Sequence, residues 1–131
     1  MGYAIAALDD LGDGYGFRKI RTALNVTAFG VNALVFPPHY DGPNHFHETQ
    51  DELYFVHRGT ATFLFDGEEH VVAEGGLVHV ESTTHRAVAN RTDDDLVLLV
   101  VGGSGGYVER DGQVVSPADL EKRQAMAKWQ Q

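Results

Sequence analysis

Cysteine is absent from the 131 residues. Disulfides, thiolate nucleophiles and cysteine-ligated zinc or iron–sulfur sites go with it. Basic residues are scarce: 10 Lys and Arg stand against 19 Asp and Glu, a formal net charge of −9. Phosphate contacts need clustered cations, so this balance argues against nucleic-acid binding and against an anionic membrane surface. No apolar run approaches the ~18–20 residues of a membrane span. The opening residues, MGYAIAALDDLGDG, have neither a basic leader nor a long apolar core, so no secretory signal is expected and cytoplasmic residence is the default. The Asn-x-Thr sequons at Asn25 and Asn90 are then accidental. There is no internal repeat, and a chain of this length builds one domain around one core.

What the chain does have is a series of short apolar runs divided by turn residues. Phe29 to Phe36 reads as a strand stopped by Pro37-Pro38, and His39–Pro43 is turn chemistry. Thr60–Phe65 and Glu68–Ala73 flank Asp66-Gly67, the signal for a two-residue I′ hairpin. Leu77–Val80, Arg86–Asn90 and Leu96–Val101 supply further strands. Such spacing predicts an all-β sandwich or barrel. Near the N-terminus, Ile5–Leu11 fits a short helical turn or an edge segment, and the glycines of LGDGYGF interrupt regular structure. Beyond the glycine loop Gly102–Gly106, Asp111-Gly112 suggests a small hairpin between Val108 and Val115. Ser116-Pro117-Ala118-Asp119 then starts a helix with Ser as N-cap and Pro at N1, running to about Trp129. Leu120, Met126 and Trp129 would pack on the barrel's outside or on a partner.

Chemistry concentrates between Gly42 and Gly59. His45 and His47 stand two residues apart, so on a strand both imidazoles face one surface. A turn through Glu48–Asp51 can bring Glu52 beside them. Two imidazoles and a carboxylate on one wall offer three positions to a borderline divalent metal; Mn, Fe, Co, Ni, Cu and Zn all accept this donor set. Along the strand from Glu52 to His57, alternation sends Tyr54 and Val56 inward with Glu52, and Leu53, Phe55 and His57 outward. Both faces are apolar, so something must also cover the outer one.

The pattern His45-x-His47-x4-Glu52-x6-Gly59 resembles the first cupin motif, with the spacing of germin-like members. The resemblance covers about residues 30–101. It implies a cupin-type jelly-roll β-barrel, with a barrel core of about 29–101 and the hairpin and short helix at about 107–129 within a single domain, 1–131. It implies one divalent transition metal per chain at the pocket floor, held by His45, His47, Glu52 and a third histidine from a second motif. Pairing of cupins makes a homodimer the economical cover for Leu53 and Phe55. His85, in STTHRAVAN, is the candidate third histidine, although Glu81-Ser82-Thr83 replace the usual proline and glycine. In the family pattern that histidine stands four positions before an asparagine; before Asn90 that position is Arg86, and His85 is one earlier. One step along a strand reverses the face. Either His85 meets the metal, or Arg86 faces the pocket beside a triad and is placed to grip an anionic substrate. The expense of an unpaired arginine in a dry pocket favours His85.

Sites of this kind in cupins serve dioxygenases, oxalate-metabolising enzymes and sugar isomerases. With Tyr54 the one further candidate acid or hydrogen-bond donor in the pocket, the expectation is a metal-dependent, dioxygenase-like oxidoreductase acting on a small organic molecule. The alternative is a non-catalytic metal- or small-molecule-binding module. Gly102-x-Ser104-x-Gly106 matches a nucleophile elbow but has no helix after the serine. Of the remaining histidines, His57 and His70 read as surface or interface residues. His79 reads as a hydrogen-bonded structural residue, and His39 as a loop residue near the pocket mouth.

Overall fold

The computed structural model describes residues 2–109 and 111–129. Among the described residues eleven strands run in chain order: β1 (Gly16–Arg18), β2 (Gly30–Phe36), β3 (Tyr40–Asp41), β4 (His45–His47), β5 (Asp51–Arg58), β6 (Ala61–Phe65), β7 (Glu68–Val72), β8 (Leu77–Val80), β9 (Ala87–Asn90), β10 (Leu96–Gly103) and β11 (Gly112–Val114). Helix α1 (Ile20–Ala23) is a single turn, and α2 (Pro117–Lys128) closes the chain. One antiparallel sheet has the order β1-β2-β10-β5-β8; a second has β3-β9-β6-β7. The short pair β11-β4 abuts the second sheet through a bridge between His45 and Arg86. Inner faces meet in one core of Phe36, Tyr54, Val56, Phe63, Val88, Leu96 and Leu98, with Tyr54 edge-on to Phe63 at 5.2 Å across the sheets. This is the two-sheet jelly roll with a C-terminal helix that the motif implied. Among the described residues no helix is long and apolar enough to cross a membrane.

The expected alternation holds along β5, where Glu52, Tyr54 and Val56 are buried and His57 is exposed. Asp66 and Gly67 both have positive φ, 51° and 84°, as the I′ turn between β6 and β7 requires. Gly59, which ends the first motif, has φ +83°, and a Cβ there would lie 2.5 Å from the Asp95 carbonyl oxygen. Only glycine lets the chain turn so close to the start of β10.

Three local expectations need correction. The LGDGYGF glycines do not merely interrupt structure: Gly16 opens β1, which pairs with β2. The hairpin between Val108 and Val115 does not form among the described residues. Its downstream arm is β11, which pairs with β4 instead, and Arg110 lies outside the described residues. His79 is exposed, and its ring lies 4.0 Å from Asp51, too far for the expected hydrogen bond.

Helix α2 begins as its sequence dictates. The Ser116 hydroxyl accepts from the Asp119 amide, and Asp119 in turn accepts from the Asn44 amide at 2.9 Å, tying the helix to the segment before β4. Met126 is thereby inserted among the core residues, while Trp129 packs on Tyr40. On the outer face of the larger sheet, Leu8, Leu11, Ile20 and Leu24 cover the end carrying Ala33, Leu99 and Phe55. Leu53 and Leu77 remain 43% and 65% exposed.

Candidate metal centre

Strand β4 is only three residues long, and both its edges are engaged. Gly112 pairs with His47 on one side. On the other, His45 and Arg86 exchange amide–carbonyl bonds of 2.8 Å in each direction. Period two sends His45 and His47 inward and Phe46 outward. Glu52, at the start of β5, stands opposite Gly102 of β10, where a side chain would crowd it: a Cβ on Gly102 would lie 3.3 Å from the Glu52 Cγ. His45, His47 and Glu52 each present a ligand atom within 4.8 Å of the other two; His47 and Glu52 are buried and His45 is half-buried.

The surroundings orient all three. His45 Nδ1 donates to the Pro43 carbonyl at 3.1 Å, so its Nε2 keeps a free lone pair. His47 Nε2 lies 3.2 Å from Glu52 Oε1, and its Nδ1 lies 3.1 Å from the Gln50 amide and 3.6 Å from Asp111 Oδ2. The other end of that amide, Gln50 Oε1, is buried with no partner. With its nitrogen toward Nδ1 the Gln50 amide donates there, so the ring proton sits on Nε2, where it faces Glu52 Oε1 and is the proton a metal would displace. Asp111 is itself anchored, accepting from the Thr49 and Gln50 amides and the Thr49 hydroxyl. Burial raises its pKa, but those donors and the neighbouring His47 outweigh burial and hold it low.

Arg86, fully buried, occupies the place expected of the fourth ligand. Residues bridged directly across two antiparallel strands share a face, so the His45–Arg86 bridge points Arg86 inward with His45. His85 is turned to the opposite side, where it stacks on Phe46 at 5.0 Å. The expectation of His85 as ligand is therefore corrected: the structure brings together His45, His47 and Glu52 and leaves His85 out. Arg86 can be buried here because it is not unpaired. Its Nη1 donates to the Ser82 and Thr84 carbonyls, and Nη2 lies 3.5 Å from Glu52 Oε1. Its Nε and Nη2 make no hydrogen bond. Arg86 stands behind Glu52 and does not line the open cavity, so it is not placed to grip a substrate directly.

Tyr54 donates to Glu52 Oε1 at 2.6 Å. Burial, with the Glu52 charge added, pushes its phenol well above the ordinary value, so it stays a neutral donor. Burial raises the Glu52 pKa, yet the His47 and Tyr54 bonds and the Arg86 cation bring it below the usual carboxylate value. His45 moves the other way from Glu52's burial effect: desolvation lowers its pKa, against the Pro43 bond and the Glu52 charge. A neutral imidazole and an ionised carboxylate are the states a cation needs, and the residues present fit a divalent metal. Over them opens a cavity of about 500 Å3, bounded by Phe36, Val88 and Val100, and by Met126 of α2. His39 does not reach it; its ring pairs with Asp93 at 2.6 Å on the surface. Ser104 sits in a loop after β10, and among the described residues no helix lies between it and Pro117.

Sequence reasoning missed Gln50 and Asp111. Asp111-Gly112 carried only a turn signal, and nothing local announced that the segment would cross to β4. Gly112 is needed there because a Cβ would lie 3.3 Å from the His47 ring.

Comparison with known proteins agrees with this fold. No curated protein matches the sequence. Among solved structures, a cupin protein from Bacteroides fragilis superposes with a TM-score of 0.69 at 18% identity, covering 83% of this chain and 90% of its own. A sugar phosphate isomerase of the cupin superfamily from Silicibacter pomeroyi gives 0.66 at 21%, covering 88% and 86%. The DMSP lyase DddQ from Ruegeria pomeroyi gives 0.60 at 23%, covering 69% of this chain and 44% of that one. At these identities the likeness concerns the fold. The family described as Cupin domain matches residues 33–102, more than half of the chain, and the chain belongs to it.

Proposed function

We propose that this cupin is a metal-dependent enzyme acting on a small organic substrate, with one divalent transition metal per chain held by His45, His47 and Glu52. The observation that carries the proposal is the convergence of these three groups at the floor of the cavity, with both imidazoles oriented through Nδ1. Such a metal, when bound, supplies Lewis acidity or one-electron chemistry at positions the protein leaves open. The chain's own residues prepare the site. Tyr54 and Arg86 hold Glu52 ionised and in place. Phe36, Val88 and Val100 keep the floor dry. Among the described residues the hydroxyls on the cavity wall are those of Tyr54, bonded to Glu52, and Tyr107. So little acid–base machinery favours a dioxygenase-like oxidation over hydrolysis.

A second reading, proton transfer without redox change, is favoured by the 2.6 Å Tyr54–Glu52 contact, which holds a phenol at the floor. The isomerase and the lyase among the structural neighbours suit that reading. We place the protein in the cytoplasm as a homodimer, a second copy covering Leu53 and Leu77 where the N-terminal segment stops.

The test has two stages. Elemental analysis of protein purified without a metal-affinity step should return close to one transition metal per chain. Oxygen consumption is then followed with catechols, flavonols and enolisable diketones. Uptake with one class supports oxidation. Metal at full occupancy with no uptake by any substrate would leave proton transfer, or a binding module, in its place.

A further inference from the structure

We infer that the cavity takes a small organic anion, a carboxylate or phosphate ester on an apolar body, with its charged end beside Lys19 and Arg123. The inference rests on the reading of this cavity as the substrate site. The charged side chains lining it, apart from the histidines, are Lys19, Glu52 and Arg123. Glu52 lies at the floor, committed to its own partners. In a chain with 19 acids against 10 bases, the reachable charges of this cavity are thus both positive.

Neither cation is used up. Among the described residues no carboxylate makes an ion pair with Lys19 or Arg123, whereas Arg86 and Arg91 both have one. Arg123 reaches only the Gly112 carbonyl, at a long 3.4 Å. The two come from opposite ends of the sequence. Lys19 directly precedes α1, and Arg123 lies on α2, which the Ser116 cap and the Asp119–Asn44 bond fix beside the cavity. The lining also carries apolar side chains, among them Leu34, Val100, Val114 and Met126. A ligand matching both features has an anionic end and a hydrocarbon body. Low-dielectric walls concentrate the field of the two cations along the entrance, which draws anions in and repels cations. The volume, about 500 Å3, falls within the ~300–1,000 Å3 usual for small-molecule sites.

Isothermal titration of the full chain, as purified, with hexanoate, hexyl phosphate, hexanol and hexylamine reads the preference. The anions should bind about three- to tenfold more tightly than the alcohol and the amine, the scale of two solvent-accessible ion pairs. Added salt should shrink the margin. Combining Lys19→Gln with Arg123→Gln should abolish it, and Arg123→Lys should preserve it; both sites are on the surface, so the fold is not at stake. Whichever anion binds more tightly identifies the headgroup. Hexanol matching the anions on the natural protein overturns the inference, as does a double variant that keeps the margin, or no binding by any probe. Metal content measured on the same samples separates the two proposals. Protein without metal that still prefers anions refutes the metal reading and upholds this one.

Discussion

Arg86 offers the sharpest test of how the centre is built, because a buried cation stands where the family pattern puts a ligand. Its Nη2 is 3.5 Å from Glu52 Oε1, and neither side chain is more than 9% exposed. At that separation the attraction is about 5 kcal/mol with an effective dielectric of about 20. Removing one partner of such a buried pair typically costs ~3–5 kcal/mol. Arg86→Met also strips donors from the Ser82 and Thr84 carbonyls, while Tyr54 and His47 still serve Glu52. A loss of about 3 kcal/mol is therefore expected in chelator-treated protein, seen by calorimetry as a Tm lower by about 10 °C. A metal supplies Glu52 with the same positive charge that Arg86 does. By linkage, the variant should then bind Co(II) or Zn(II) about ten- to a hundredfold more tightly, and the added metal should restore most of the lost Tm. Arg86→His, which adds an imidazole on the face shared with His45, should change the visible spectrum of bound Co(II). A folded Met variant with the natural Tm and the natural metal affinity would refute the view that Arg86 and a metal share Glu52.

His47→Ala should lose most of its metal and exposed His57→Ala none; equal contents would overturn the register of β4 and β5. His85→Ala should keep its metal, since the ring lies on Phe46 away from the cluster. In metal-free protein the pH dependence follows from His45 and Glu52. Burial lowers the His45 pKa below its unfolded 6.5, so the unfolded chain binds more protons there and stability is lost as pH falls through about 6.5. Glu52 adds stability that is present above its unfolded 4.5 and lost as pH falls through its lower folded value. Thermal midpoints should be level above about pH 7 and fall below it; a flat profile down to pH 5 would contradict a neutral His45. Light scattering should give twice the chain mass of 14.3 kDa. Leu53→Glu should reduce it to one chain, the interface burying ~1,200 Å2 or more; a natural protein already at 14.3 kDa would dispose of the dimer.

The residues between Gly42 and Gly59 determined much of this protein by themselves. An HxH step on a strand, a carboxylate after a turn, alternation along β5 and a glycine at φ +83° are all local, and local rules of two-residue period and turn geometry specify them. The I′ turn at Asp66-Gly67 and the Ser116 cap were legible for the same reason. Which residue follows the metal strand inward in the second motif was not. His85 and Arg86 differ by one position, and the choice is made by a bridge to His45, a residue some forty positions away in the chain. Arg86 could be buried because Glu52 and two carbonyls were waiting for it. Likewise Asp111 reads as a turn residue until β11 crosses to β4, and Arg123 as a surface charge until α2 is tied to Asn44. Pairing between distant segments depends on complementary partners that neither segment carries alone, so the cost of burying a charge becomes known only when the fold delivers its counter-ion.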